Sequence, residues 1–311
     1  MLAPAAGRRC LLYARTVEAP PRLSFWALLM YTSIAGTDAV VQTRDGLDLH
    51  TLRWPALGST RAHLLLVHGI AEHASRHAHV ASRLAAAGFE THAFDLRGFG
   101  TSSGIRAYVD RWSDYHDDVE DRLTAVRAKA GALPVVLFGH SMGGLIVLGY
   151  VLADPPRPAP DLLILSAPAI AAAVPRWKRI LADVLGRALP RFEVANQLPA
   201  GGLSRDPQVE VAYRVDPHNV HRTTARLGME LFSEQARVQS RLSLIAALPI
   251  PTYVLHGTDD PVVPVSSSAS LEGRANVTRH VYPGLRHEMH NEPEAEAVIG
   301  DTIRWIEGAL R

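Results

Sequence analysis

The chain has 311 residues, of which 47% are hydrophobic and 20% charged, so it can build one large or two ordinary globular domains and is not a disordered chain. Its 32 basic and 31 acidic residues nearly cancel, which argues against a nucleic-acid partner because a phosphate backbone requires an excess of Lys and Arg. The single cysteine, Cys10, excludes an intrachain disulfide and a thiolate metal cluster, and no apolar run reaches the roughly 18 residues of a membrane-spanning helix.

The first 36 residues differ from the rest in composition. They carry four arginines against one acidic residue, followed by an apolar stretch from Leu23 to about Ile34. This order of basic, apolar and small residues resembles a secretory signal, but the segment is long for one. Three interpretations remain open: an export signal, a tail or membrane-contacting appendage, and a translation start at Met30. We expect a cytoplasmic protein with an N-terminal extension over 1–36, and favour export less.

From residue 38 onward, predicted strands alternate with predicted helices. Asp45-Gly46 predicts a hairpin turn, because both residues tolerate positive φ. Continuous apolar runs such as 62–68 indicate strands that helices cover on both faces. The alternation predicts an α/β fold with a mostly parallel central sheet and helices on both faces. The predicted strands are 40–43, 47–54, 62–68, 91–95, 134–138, 162–165, 252–255 and 279–282, and the predicted helices are 75–87, 113–130, an apolar helix ending at 152, and 293–310.

Residues 168–248 break this alternation, since they show helical periodicity and no convincing strand. Apolar residues recur at three- and four-residue steps over 177–189, and a second helical stretch covers about 223–239. We expect an all-helical cap over the carboxyl ends of the strands, where such sheets place their sites. The cap carries 11 Arg and Lys against 7 Asp and Glu, which a solvated surface explains; transient contact with an anionic membrane surface is the alternative. The predicted domains are therefore 1–36, core 37–167, cap 168–248 and core 249–311.

The sharpest motif is G-x-S-x-G at 139–143, between a predicted buried strand and a predicted helix. A serine hydroxyl is a poor nucleophile, so it must be exposed beside a base and near donors for the developing oxyanion. A sharp strand-to-helix turn provides this exposure, and the glycines let neighbouring backbone approach closely. Ser141 is therefore the predicted nucleophile.

A serine nucleophile in this context requires an acid and then a histidine further along the chain, both after strands. Asp260 follows the strand at 252–255 and is the predicted acid, with Asp259 as the reserve candidate. His287 follows the strand at 279–282 and is the predicted base, with His290 as its competitor. The acid would hold the imidazole tautomer and stabilise the imidazolium.

The segment 68–73 (HGIAEH) also follows a buried strand, at the position that contributes part of an oxyanion hole. The backbone N–H groups of Ile70 and Met142 are the predicted oxyanion donors. Removing one such donor typically costs about 2.7–4 kcal/mol of transition-state stabilisation.

Four segments together resemble the monoacylglycerol lipase and lysophospholipase family of α/β-hydrolases, which includes serine aminopeptidase S33-like hydrolases. They are 68–73 (HGIAEH), 95–102 (DLRGFGTS), 139–144 (GHSMGG) and 285–291 (LRHEMHN), and segments 204–209 and 216–221 resemble parts of the family's cap. The resemblance covers about 38–310. It implies the α/β-hydrolase fold, a Ser141–His287–Asp260 triad, and hydrolysis of a single-acyl lipid ester, either a monoacylglycerol or a lysophospholipid. His218 departs from the apolar residue usual in the family after Asp216-Pro217.

Other constellations predict no further chemistry. The spacing of Glu72, His73, His77 and His79 does not place them on one open face, so we expect no metal site and no cofactor. The Gly-rich segment 95–102 lacks the spacing of a dinucleotide-binding loop. The alternatives on the same triad are a carboxylesterase, thioesterase, peptidase or acyltransferase, and a non-catalytic ligand-binding protein is less favoured because no triad member is missing.

Overall fold

The computed structural model describes residues 36–172, 174–196 and 198–311. The predicted extension over 1–36 therefore lies, except for Gly36, outside the described residues. The described strands are β1 Thr37–Gln42, β2 Asp48–Trp54, β3 Ala62–Val67, β4 Phe89–Phe94, β5 Val135–His140, β6 Leu162–Ser166, β7 Glu193–Ala195, β8 Arg222–Thr224, β9 Ala247–Gly257 and β10 Ala275–Tyr282.

Seven α-helices lie between and after these strands in the described part of the chain. They are α1 Ala78–Ala86, α2 Trp112–Ala130, α3 Met142–Val151, α4 Arg176–Ala188, α5 Pro207–Val215, α6 Ala225–Ser243 and α7 Ala295–Ala309. Short 3₁₀ turns occupy Ala74–His77, Val265–Leu271 and Met289–Asn291. None of the described helices combines the length and the apolar character needed to cross a membrane.

Eight strands form one sheet in the order β1-β2-β4-β3-β5-β6-β9-β10. From β4 to β10 all neighbours pair parallel, and only β2 runs against its neighbours. All side chains of β3 and β5 are buried, as expected of strands covered on both faces. Two apolar clusters lie on the two faces of this sheet, with Leu65 in one and Leu64 in the other. The predicted α/β architecture is confirmed.

Local sequence signals determine where several strands and helices end. Gly46 has φ +88° in the hairpin that aligns Gln42 with Asp48 across β1 and β2. Gly88 has φ +87° just after α1, where the sequence predicted the helix to end. The predicted strand at 279–282 extends further and begins at Ala275, because the exposed edge strand β10 lacks the continuous apolar signal of the inner strands.

The prediction that the insertion is all-helical is wrong. Between β6 and β9, helices α4, α5 and α6 are accompanied by β7 and β8, which pair antiparallel with Val194 opposite Thr223. An ion pair of 2.9 Å between Glu193 and Arg222 bridges the two strands. Strands of three residues are too short to show a period-two pattern, so the sequence carried no usable signal for them.

Candidate active site

Ser141 lies on the turn between β5 and α3, with φ +54° and ψ −117°. Such a φ is uncommon for a residue with a side chain and indicates a strained turn that the surrounding structure maintains. A Cβ atom on Gly143 would clash with the carbonyl oxygen of Val67, and one on Gly139 with that of Gly143. The two motif glycines are therefore required because neighbouring backbone fills the space of a side chain.

The structure brings three of the predicted residues together. Nε2 of His287 lies 3.0 Å from Oγ of Ser141, and Nδ1 of His287 lies 2.7 Å from Oδ2 of Asp260. Asp260 follows β9 and His287 follows β10, so both lie at the carboxyl edge of the parallel strands together with Ser141. All three side chains are buried. This chain of contacts can pass a proton from the hydroxyl to the imidazole while the carboxylate holds the ring.

The carboxylate of Asp260 is held in its ionised form. Its Oδ1 accepts hydrogen bonds of 2.8 Å from the N–H groups of Val262 and Val263. Burial alone would raise the pKa of Asp260, but His287 and His256, together with the Val263 N–H, lower it well below the usual value. For His287, burial opposes the charged form, yet the attraction and hydrogen bond of Asp260 dominate and raise its pKa. The pair therefore favours an imidazolium once His287 has accepted a proton.

Asp259, the reserve acid, lies apart from this chain of contacts. Its side chain is exposed and accepts a hydrogen bond of 2.7 Å from the hydroxyl of Thr258. Its backbone N–H donates to the carbonyl of Leu285. Asp259 thus lies in the connection between the two loops, whereas Asp260 faces His287.

His290, the competing base, is buried among other histidines away from Ser141. Its ring centroid lies 4.8 Å from that of His77 and 5.0 Å from that of His140. Burial, followed by the charges of His77 and His140, lowers the pKa of His290 well below its usual value. This neutral ring packs against His140, the residue that precedes Ser141.

The predicted oxyanion donors lie on the two segments that flank Ser141. Ile70 belongs to the loop after β3 and Met142 begins α3. Neither backbone N–H donates to another residue within the described part of the chain. His68 shapes the loop, because Leu96 N–H donates to its Nε2 over 2.9 Å and its Nδ1 lies 2.8 Å from the carbonyl of Gly69. These contacts assign the proton of His68 to Nδ1.

The residues that suggested a metal cluster bind different partners. Glu72 accepts from the Gly69 N–H and lies 3.1 Å from Nε2 of His77. His73 lies 2.9 Å from Asp216 of the insertion, and His79 contacts the carbonyl of His290. His218, the departure from the family pattern, packs its ring edge-on against His73. Glu72 therefore stabilises the proposed oxyanion loop through its contact with the Gly69 N–H.

The sequence analysis missed Glu292, a buried acid that contacts the loop of His287. It is fully buried, and its Oε1 accepts from the Arg286 N–H over 2.7 Å. Its Oε2 accepts from the Arg205 N–H over 3.0 Å and from the Ser204 hydroxyl over 3.3 Å. Because Arg286 precedes His287, Glu292 joins the loop of the predicted base to the insertion. The available signal was an acidic residue between Asn291 and Pro293, at the start of a predicted helix.

A neighbouring ion-pair network fixes the other side of the same loop. Arg76 donates to both carboxylate oxygens of Glu288 over 2.8 Å, and Asn291 donates to Glu288 over 2.7 Å. The guanidinium also lies over the ring of Tyr213, 5.1 Å from its centroid. The loop that carries His287 is thus held from the core and from the insertion.

Comparisons with known proteins identify the family of this chain. The family model described as serine aminopeptidase, S33, matches residues 58–294. The chain belongs to this family. A monoacylglycerol lipase of Mycolicibacterium smegmatis is 37% identical over 81% of this chain and 90% of its own length, and the phospholipase YtpA of Bacillus subtilis is 28% identical over 76% and 91%. The crystal structure of Paleococcus ferrophilus monoacylglycerol lipase superposes with a TM-score of 0.73, 28% identity, and coverage of 84% of this chain and 99% of that one. The family and the α/β-hydrolase fold predicted from the motifs are confirmed.

Proposed function

We propose that the protein hydrolyses the ester of a single-acyl lipid, with a monoacylglycerol as substrate, through an acyl-enzyme on Ser141. The enzyme class, a serine ester hydrolase of the monoacylglycerol lipase type, is confirmed by the family match and the relatives. The observation that carries the mechanism is the pair of distances at His287, 3.0 Å to Ser141 and 2.7 Å to Asp260.

In this mechanism, Oγ of Ser141 attacks the ester carbonyl while Nε2 of His287 accepts the hydroxyl proton. The N–H groups of Ile70 and Met142 receive the oxyanion. His287 then protonates the leaving alcohol, and Asp260 stabilises the imidazolium between these steps. A water molecule that transfers a proton to His287 attacks the acyl-enzyme, and His287 returns this proton to Oγ of Ser141 as the fatty acid leaves. The mechanism uses no cofactor.

The surroundings of Ser141 suit the apolar part of a lipid substrate. Ser141 is 5% exposed, so a substrate must reach it beneath covering residues. An apolar cluster of Ala71, Leu203, Val209 and Tyr213 packs against Ile70, next to the proposed oxyanion loop. We propose that segment 168–248 acts as a cap whose inner apolar side chains contact the acyl chain.

Two arginines, Arg76 and Arg286, lie on or against the loop of His287. Their contacts favour an uncharged glycerol headgroup over a phosphate. Arg76 is paired with Glu288, and Arg286 donates to the carbonyl of Ser204 over 3.2 Å. Both guanidinium groups are therefore already bound within the protein. A lysophospholipid phosphate would have to compete with these contacts.

We also propose that α4 contacts a membrane surface transiently. Trp177, Ile180, Leu181 and Val184 recur at helical spacing and are 47–65% exposed. Arg176, Lys178 and Arg187 lie on the same helix, and such a mixture of apolar and basic side chains binds anionic bilayer surfaces.

The deciding experiment compares a monoacylglycerol with a lysophosphatidylcholine of the same acyl chain, measuring fatty acid release by purified full-length protein. We expect faster release from the monoacylglycerol, and loss of both activities in Ser141→Ala. Preference for the lysophospholipid would assign a phospholipase instead. Cleavage of an aminoacyl amide with neither lipid hydrolysed would assign a peptidase.

A further inference from the structure

Two histidines and a glutamate meet at the end of the sheet opposite Ser141. His63 is the second residue of β3, and Glu90 and His92 are the second and fourth residues of β4. His63 pairs with Glu90 in the parallel register, and alternate residues of β4 share a face, so the three side chains project from one face of the sheet. All three are less than 10% exposed.

The three facing atoms form a small triangle. Nδ1 of His63 lies 3.4 Å from Nε2 of His92 and 3.7 Å from Oε1 of Glu90, and Nε2 of His92 lies 3.3 Å from the same oxygen. The point equidistant from the three atoms in their plane lies about 2.0 Å from each. Zinc binds imidazole nitrogen at about 2.0–2.1 Å and carboxylate oxygen at about 2.0–2.2 Å. The three atoms therefore lie at the spacing that binding to one zinc ion requires.

Hydrogen bonds among His63, Glu90 and His92 do not explain this arrangement well. The His63–His92 contact of 3.4 Å is long for a hydrogen bond between ring nitrogens, and the two rings stack 5.7 Å apart. Glu90 is oriented independently, because Arg53 donates to its Oε1 over 2.7 Å and to its Oε2 over 3.0 Å. Such a second contact fixes the carboxylate as a metal ligand requires.

A cavity borders one of the three proposed ligands, His92. His92 and Arg53 line a cavity of about 360 Å³ that also includes Lys129. We expect a water molecule from this cavity to be the fourth ligand, with the ion displaced out of the plane of the three protein atoms toward a tetrahedral arrangement. Arg53 and Lys129 add positive charge, so binding should be weaker than at a site with an unpaired carboxylate. The two imidazoles favour zinc over the hard cations magnesium and calcium.

We propose that His63, Glu90 and His92 bind one zinc ion that joins β3 and β4 at the end of the sheet away from the hydrolase site. The ligands belong to the rigid inner strands and are remote from Ser141. The ion therefore stabilises the fold and takes no part in ester hydrolysis.

The test uses full-length protein treated with a chelator and then titrated with zinc chloride against a chromophoric competitor. We expect one zinc per chain, a higher melting temperature with zinc, and the visible absorption bands of a tetrahedral site when cobalt(II) replaces zinc. His63→Gln and His92→Gln should each weaken zinc binding at least about tenfold, given that even outer contacts of metal ligands contribute about 10–100-fold. Ester hydrolysis should persist in both variants.

His280→Gln is the matched control, because His280 is an exposed histidine on the edge strand β10. It should bind zinc as the unchanged protein does. Absence of stoichiometric zinc binding, or zinc binding and a cobalt spectrum that both substitutions leave unaltered, would overturn the proposal. The cobalt spectrum of the unsubstituted protein decides the matter if either variant fails to fold.

Discussion

The edge of the sheet at Ser141 and the outer surface of α4 differ in how far their side chains are exposed to solvent. Ser141, Asp260 and His287 are at most 6% exposed and bonded to one another, whereas four large apolar side chains of α4 are 47–65% exposed. The first region is organised before any substrate arrives. The second gains free energy only when something covers it. The comparison suggests that the chemical step belongs to the first region and access to lipid to the second.

The largest effect should come from Ser141→Ala. Loss of the nucleophile in a serine triad lowers kcat by roughly 10⁶-fold, leaving only the oxyanion donors and binding. Fatty acid release and labelling by a fluorophosphonate probe should both vanish, while the melting temperature stays within a few degrees. Ser103→Ala, on a separate loop that contacts Asp48, is the control and should remain labelled. Undiminished labelling of Ser141→Ala would move the nucleophile elsewhere.

Asp260→Asn should have the second largest effect. The amide cannot stabilise the imidazolium and favours the wrong tautomer of His287, so kcat should fall by about 10⁴-fold. Asp259→Asn is the matched control, because the neighbouring carboxylate contacts Thr258 rather than His287. It should keep nearly full activity on a soluble ester. The reverse pattern would make Asp259 the acid.

Glu292→Gln should lower kcat by roughly 100-fold, the scale of a misplacement of about 1 Å in a reacting group. The amide can accept fewer of the hydrogen bonds from Arg286, Arg205 and Ser204, so the loop of His287 loosens. Glu294→Gln is the control, since the Glu294 side chain is exposed and, among the described residues, pairs with Arg205 rather than with the loop of His287. We expect Glu292→Gln to change kcat more than KM. Equal loss in the two variants would contradict a positioning role for Glu292.

The pH dependence of activity follows from His287, which must be neutral to accept the serine proton. Because Asp260 raises the pKa of His287 above the usual 6.5, activity should decline as pH falls through that raised value, by about tenfold per pH unit. In Asp260→Asn, the residual activity should decline only at lower pH, because burial then lowers the pKa. A pH–rate profile of kcat/KM on a soluble ester measures both. Identical profiles would remove Asp260 as the partner of His287.

The contacts of the proposed triad could be predicted because their signals are local. G-x-S-x-G at a strand-to-helix turn, and an Asp and a His after later strands, each carry their meaning in a few consecutive residues. The parallel sheet was predictable for the same reason, since its inner strands are unbroken apolar runs.

The supporting contacts could not be predicted, because they depend on residues distant in sequence. Glu292 meets Arg205 across 87 positions, and Arg76 meets Glu288 across 212. His63 and His92 meet only through the register of β3 and β4. The helix α5 was missed although Asp206, which accepts from the Gln208 N–H, and Pro207 mark its start. Here a local signal for the start of the helix existed, but the helix is short and weakly apolar, so its periodicity was not recognised.

The smallest effect should come from α4, and it should appear only on membranes. Trp177→Ser with Ile180→Ser removes two exposed apolar side chains without touching the triad, so hydrolysis of a soluble short-chain ester should change by less than about twofold. Binding to vesicles containing anionic lipid should fall by about tenfold or more, because each large apolar side chain contributes up to about 1.5–3 kcal/mol when fully buried. Flotation of the protein with vesicles measures the binding.

Val215→Ser with Leu244→Ser is the matched control for this pair. Both side chains are 74% exposed, but they lie outside α4, at the end of α5 and just after α6. If the control weakens vesicle binding as much as the α4 pair does, general surface hydrophobicity attaches the protein to lipid. If only the α4 pair does so, the helix itself contacts the membrane. Access to lipid then belongs to α4 and the chemical step to the sheet edge at Ser141, as the difference in burial suggests.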